Sequence, residues 1–207
     1  MGVMLNPSAI TRTYTALVVA LVTFMSACSG QPSATQQTAA AAPERCKKGD
    51  NVLQATDFTR VSGRRYPWRG FQHARRSFTV DADDGVLTIT QMASEPWFYY
   101  AQRVNDARLI GRRLEFSADL KGNIIAEPKF HGWDHVGGLY YSTNQGKTRL
   151  YTSIAEHEPN QGEWDWQRVS VEFTVPKDAT EVQVGFTHQA KGWLKARNPT
   201  LRILECP

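Results

Sequence analysis

Between Asn51 and Leu204 apolar and polar residues alternate with a period of two, the pattern of strands that bury one face. The alternation is clearest over Val86–Thr90, Leu114–Leu120, Val169–Val175 and Val182–Phe186. It predicts further strands at Phe78–Val80, Phe98–Val104, Gly138–Tyr141, Arg149–Ile154 and Leu201–Leu204. Turn-forming residues punctuate these runs at Asp83-Asp84-Gly85, Asn144-Gln145-Gly146, Asn160-Gln161-Gly162 and Pro176-Lys177-Asp178. No stretch holds apolar residues at helical spacing over about twelve residues. Many short strands with frequent turns predict an all-β domain, a sandwich or a barrel.

The start of the chain has a different pattern. Arg12 precedes a continuous apolar run from Ala16 to Met25, the length of the hydrophobic region of an export signal and too short to cross roughly 30 Å of hydrocarbon. The run closes on Met25-Ser26-Ala27-Cys28, which resembles the bacterial lipobox: an apolar residue, two small ones, then a cysteine whose thiol takes a diacylglycerol. The resemblance implies a lipoprotein whose mature chain begins at an acylated Cys28 and is held in a bilayer by several acyl chains, each buried methylene contributing about 0.8 kcal/mol. Ser29 stands where an aspartate would favour retention at the inner membrane, so the resemblance implies the outer membrane, with the protein facing the periplasm or the surface. Residues 1–27 are then a signal peptide. Residues 28–44, rich in Ser, Gln, Thr, Ala and Pro, are a lipidated flexible tether, and residues 45–207 are the folded domain.

Charge and cysteine content narrow the reading. The formal net charge of +4, to which Arg12 contributes one, is small, and short clusters such as Arg64-Arg65 and Arg112-Arg113 fit solvated faces. An exported chain with so weak an excess is not expected to bind nucleic acid. With Cys28 taken by lipid, Cys46 and Cys206 remain and bracket the domain; in an oxidising compartment they are expected to form a disulfide. That bond requires the two ends of the domain to be neighbours.

Several runs resemble carbohydrate-binding modules of the family 4, 9 and 22 type. Asn51-Val52-Leu53-Gln54-Ala55-Thr56-Asp57-Phe58 is similar to their opening strand, Gly85 to Ile89 to an early core strand, and Tyr100 to Val104 to their tyrosine-glutamine strand. Leu114 to Gly122 and Gly162 to Pro176 resemble two later strands, the second carrying a Gly-x-Trp motif, and Val182 to Gly185 the penultimate one. The resemblance implies a galactose-binding-like jelly-roll β-sandwich with its first and last strands side by side, and a carbohydrate ligand bound without catalysis. Arg197-Asn198-Pro199 replaces an aspartate common in those modules, so the structural calcium of many relatives is not expected.

Sugar recognition needs flat apolar faces for pyranose rings and polar groups at their rims. Of the six tryptophans, Trp133, Trp68 and Trp193 fall in segments rich in Gly, Arg and His and are the candidate ligand contacts, together with His131, Asp134 and His135 around Trp133. Trp164 and Trp166 share one side of a strand if that strand begins at Glu163, and the resemblance implies that one of them is the structural tryptophan of those modules. His131 and His135 with a later ligand from Glu156-His157-Glu158 complete no zinc signature, and no metal or other cofactor is expected. No nucleophile elbow, phosphate loop or His-Glu-x-x-His motif is present, and no catalytic residue is assigned. The sequence therefore points to a membrane-anchored lipoprotein that binds a polysaccharide. A structural or assembly lipoprotein docking a protein partner through the same aromatics is the second reading, and a glycan-active enzyme with paired carboxylates the third.

Overall fold

The period-two runs fold as strands. A computed structural model describes residues 48–60, 62–72, 76–93, 95–125, 136–154 and 159–205, and for 150–154 only their backbone. The strands are β1 (Trp68–Gln72), β2 (Phe78–Asp83), β3 (Val86–Gln91), β4 (Phe98–Val104), β5 (Arg113–Ile125), β6 (Gly137–Gln145), β7 (Thr148–Ile154), β8 (Gly162–Thr174), β9 (Glu181–His188) and β10 (Lys191–Ile203). They form two five-stranded antiparallel sheets, one in the order β1-β4-β9-β6-β7 (sheet A) and one in the order β2-β3-β10-β5-β8 (sheet B). Alternate residues of facing strands meet between the sheets: Leu114, Phe116, Ala118 and Leu120 of β5 are buried with Val182, Val184 and Phe186 of β9. Phe116 and Phe186 approach to 6.0 Å, and Tyr141 stacks on Phe173 at 4.3 Å, so aromatic contacts bridge the two layers. The expected all-β sandwich is the observed fold.

The Asp83-Asp84-Gly85 signal makes the tight β2–β3 hairpin, with Asp84 and Gly85 at φ of 46° and 73°, as a primed turn requires. Two elements differ from expectation. Asn51–Phe58, expected as an opening strand, forms no regular strand. It runs instead against the end of β10, where Gly49 N–H donates to Ile203 O (3.2 Å) and Val52 N–H to Leu201 O (3.0 Å). Asn51 fixes that contact: its Oδ1 accepts from Leu201 N–H at 3.0 Å and its Nδ2 donates to Pro199 O at 3.0 Å. The second difference is the length of the last strand, which starts at Lys191 rather than at Leu201 and pairs with both β3 and β5. A register shift between Arg197 and Thr200, with Asn198 at a φ of 52°, places a bulge midway. The Arg168 guanidinium clamps that bulge by donating to Asp119, Asn198 O, Ser117 and Thr200.

Trp164 and Trp166 do not share a face. Gly122 pairs with Trp164 and Leu120 with Gln167, so two steps on β5 face three on β8. The extra residue rotates the strand. Trp164 turns into the core, where its ring lies against Gly122 so closely that a Cβ there would meet it at 2.3 Å. Trp166 turns outward, beneath the Arg197 guanidinium at 4.2 Å.

His188 ends β9 fully inside the sandwich, its ring edge-on to Phe78 at 5.5 Å and its Nε2 3.3 Å from Gly192 O. Burial pushes its imidazole down to about 4. An unfolded histidine titrates near 6.5, so as pH falls from 6.5 to 4 the unfolded chain takes up a proton that the fold refuses. Stability is complete above pH 6.5 and declines below it, by on the order of 3 kcal/mol at pH 4 from this group. Urea unfolding followed across that range should show this decline, and His188→Gln should flatten its slope whatever it does to the baseline; an unchanged slope would refute the assignment.

Candidate functional site

On β4 the side chains of Phe98, Tyr100 and Gln102 are buried toward the core, which leaves Tyr99, Ala101 and Arg103 on the opposite side of sheet A. The register carries this outer face across the sheet. Phe71 and Arg69 of β1 sit opposite Tyr99 and Ala101, while Gln183, Gly185 and Thr187 of β9 sit opposite Arg103, Ala101 and Tyr99. Gly138, Tyr140 and Ser142 of β6 continue the same rows.

Three rings form a ladder on this face. Trp97 stacks on Tyr99 at 5.1 Å, and Tyr99 on Tyr140 at 4.3 Å. Tyr99 and Tyr140 belong to strands that flank β9, so their rings meet across it, above Gly185. Glycine is required there: a Cβ at 185 would lie 2.2 Å from Tyr100 O and 2.5 Å from Ala101 Cα. Burial, followed by the neighbouring Tyr140, raises the Tyr99 phenol above its ordinary pKa and keeps it a neutral hydrogen-bonding group.

Beside the ladder a groove of about 500 Å³ runs over β1, β4 and the start of β9 toward Arg65 and Tyr66. Its central group is Arg103, whose guanidinium lies over the Phe71 ring at 5.4 Å and whose Nε is 3.8 Å from Glu181 Oε1. Glu181 is itself held, since Oε1 accepts from Asn144 Nδ2 at 3.0 Å and Asn144 Oδ1 accepts from Ser142 Oγ at 3.0 Å. The wall at Gln54 is fixed by a reciprocal pair, Gln54 N–H to Gln102 Oε1 and Gln102 Nε2 to Gln54 O, both 2.9 Å. Gln102 is only 2% exposed, so these bonds form where water does not compete. Tyr66 is anchored by its hydroxyl, which donates to Phe58 O at 2.9 Å; burial raises its phenol strongly.

The candidates read from sequence fall elsewhere. Trp68 is a correction: it is 2% exposed, stacked against Tyr100 at 6.1 Å and Phe186 at 5.8 Å, and presents no face to a ligand. Its Nε1–H donates to Gln54 O and Ala55 O, which removes the cost of burying an indole N–H. Trp193 lies on the outside of sheet B, opposite Thr90 and Asn123, with Lys195 Nζ 5.4 Å from its ring centroid. These two indoles therefore line no common groove. Trp133, His131, Asp134 and His135 lie outside the described residues, as do Cys28, Cys46 and Cys206. Phe71, Tyr99, Arg103 and Glu181 were not singled out from sequence; only the alternation along Phe98–Val104 pointed to Tyr99 and Arg103.

The groove offers stacking surfaces and oriented hydrogen-bond groups. Among the described residues its carboxylate is Glu181, which accepts from Asn144. Among the described residues no group of three metal-ligating side chains comes together.

The sandwich superposes on the xylan-binding family 22 domain of Paenibacillus barcinonensis with a TM-score of 0.54 and 13% identity, over 78% of this chain and 99% of that one. The two chains share the β-sandwich fold. The tandem family 22 domains of the same bacterium match with a TM-score of 0.55 and 13% identity, over 79% of this chain and 48% of that one. The enzymatically active domain of tailspike protein 4 from bacteriophage CBA120 matches with a TM-score of 0.54 and 15% identity, over 74% of this chain but 21% of the tailspike. No protein-family model matches the chain, and no curated protein does.

The close approach at Gly185 yields a direct test. Gly185→Ala forces β4 and β9 apart and should lower the free energy of unfolding by about 1–3 kcal/mol, the cost of overpacking a closely fitted site. Chemical denaturation measures this; an effect below about 0.5 kcal/mol, the range of ordinary surface changes, would show that the strands part freely there.

Proposed function

We propose that the protein binds a polysaccharide, without cleaving it, on the outer face of sheet A, and does so from a membrane anchor. The observation that carries this reading is the juxtaposition of the Trp97–Tyr99–Tyr140 ladder with the groove at Phe71 and Arg103 on a fold shared with a xylan-binding domain. The half-buried rings of Trp97, Tyr99 and Phe71 supply faces for the axial C–H groups of a pyranose, while Tyr140, 2% exposed, supports Tyr99 rather than the ligand; Arg103 and Glu181 supply donors and acceptors for its hydroxyls. The network that holds Glu181 and Arg103 fixes those groups before the ligand arrives, and this limits the entropy lost on binding. Trp133, with His131, Asp134 and His135, immediately precedes β6 in the sequence and is proposed to add to the same face.

A glycan array probed with the full chain is the deciding experiment. Phe71→Ala and Tyr99→Ala should each weaken binding to the best ligand about tenfold, the loss expected for one ring contact of roughly 1.4 kcal/mol. Trp133→Ala should do the same, and incubation with the ligand should release no new reducing ends. Absence of binding to every glycan would overturn the reading.

For the anchor, Cys28 is the proposed lipid attachment site and Cys46–Cys206 the proposed disulfide. Support for the disulfide comes from the hydrogen bonds between Gly49 and Ile203 and between Val52 and Leu201, which bring the described ends of the domain side by side. Cys28→Ala should abolish incorporation of labelled fatty acid and move the exported protein from the membrane to the soluble fraction. A variant that stays membrane-bound and labelled would exclude Cys28. Thiol counting under denaturing, non-reducing conditions tests the pairing, and two free thiols would exclude it.

A further inference from the structure

The groove on sheet A is charged in a way that sugar hydroxyls alone do not call for. Arg65, Arg69 and Arg103 line it against the single carboxylate of Glu181, whose Oε1 already faces Asn144 Nδ2 at 3.0 Å and Arg103 Nε at 3.8 Å. Arg65 and Arg69 are exposed and form no ion pair with any described residue. In the adjoining cleft of about 400 Å³ Arg64 joins Arg65 beside Tyr66, against the carboxylate of Asp57, so two arginines again face one acid.

Sheet B shows the contrast. Its outward arginines each have an acid nearby: Arg113 pairs with Glu172 and Glu205, Arg168 and Arg197 share Asp119, and Arg202 stands opposite Glu115 in the register. That solvated face therefore sets an acid beside each of its guanidinium groups, whereas in the groove on sheet A only Arg103 has one and Arg69 stands opposite Ala101. The imbalance coincides with the aromatic ladder and with the guanidinium of Arg103, held in place by the Phe71 ring and the Glu181 carboxylate. A planar guanidinium offers paired N–H donors that match the two oxygens of a carboxylate or sulfate, and it keeps its charge at any accessible pH.

We infer that the ligand of this groove is an anionic polysaccharide, one whose sugar rings carry carboxylate or sulfate groups, with the rings on the Tyr99 and Phe71 side and the anionic substituents on Arg69, Arg103 and Arg65. This rests on the proposed glycan-binding role and names the class of glycan. The arginines are solvent-exposed, so their contribution is screened by salt, whereas the stacking contribution is not.

The test is calorimetric titration of the full chain with polygalacturonate, with chondroitin sulfate and with neutral xylan, at about 50 mM and about 500 mM sodium chloride, which brackets the range over which screening of exposed charges becomes severe. At least one anionic polymer should bind tenfold or more tighter than xylan at low salt and lose most of that advantage at high salt; the tighter of the two identifies the oxyanion. Arg69→Gln should weaken anionic binding about tenfold and Arg69→Lys less. Arg202→Gln, on the outer face of sheet B, should leave it unchanged, which separates the groove from general attraction of a polyanion to a basic protein. Xylan binding as tight as the anionic polymers and insensitive to salt would overturn the inference while keeping the glycan-binding role. Absence of binding to all three, together with a blank array, would overturn the role itself. Equal loss in Arg69→Gln and Arg202→Gln would overturn the groove as the site.

Discussion

The burial of one indole arranges the face on which the proposed function rests. Trp68 begins β1, the edge strand of sheet A, and is packed between Tyr100 and Phe186 with its N–H given to two carbonyls of the Gln54–Ala55 turn. Side chains along a strand alternate, so a Trp68 that points inward forces Arg69 and Phe71, each by its own phase against β4, onto the outer side. A one-residue slip would exchange the indole for a guanidinium in the core, at a cost no edge strand could offset. The edge strand is thus placed by its most buried residue, and the groove is a by-product of that placement.

The same logic governs the rest of the outer face. Arg103 is aimed by two unlike contacts, the Phe71 ring and the Glu181 carboxylate, and Glu181 is held in turn by the Asn144–Ser142 pair. These residues come from β1, β4, β6 and β9, so a side chain that is flexible in isolation is held by four strands of one sheet. Beside the ring ladder the pairing of β4 with β9 depends on an absence, the missing side chain of Gly185, which would strike Tyr100 O and Ala101 Cα. Rigid strands rather than loops therefore present the groups most suited to recognition, which favours a preformed site.

Much of the fold was legible in the sequence because burial on one face writes a period of two. β3, β5, β8 and β9 follow from that period, and the β2–β3 hairpin from its Asp-Gly turn. The first half of β10 was hidden because its inward positions are only Leu194 and the small Ala196, beside conspicuous outward Trp193, Lys195 and Arg197. The face of Trp166 was hidden for another reason: the bulge in β8 inverts the phase within two residues of Trp164, and no periodicity anticipates an inserted residue. Site residues were harder still. Tryptophan count and Gly-rich surroundings drew attention to Trp68, whereas Phe71, Arg103 and Glu181 become neighbours only through pairing between strands far apart in sequence.

The contact of Gly49 and Val52 with Ile203 and Leu201 has a consequence for how the domain could be reused. A unit whose chain enters and leaves at the same point occupies a host protein like a single exposed loop, because the two strands of the host need not separate to admit it. The same adjacency would let a short linker join residues 48 and 205 and let new ends be opened at the Gly146-Lys147 turn between β6 and β7, with every sheet pairing intact. The sandwich is in this sense a closed circuit of strands, and the point at which it is cut is a matter of attachment rather than of folding.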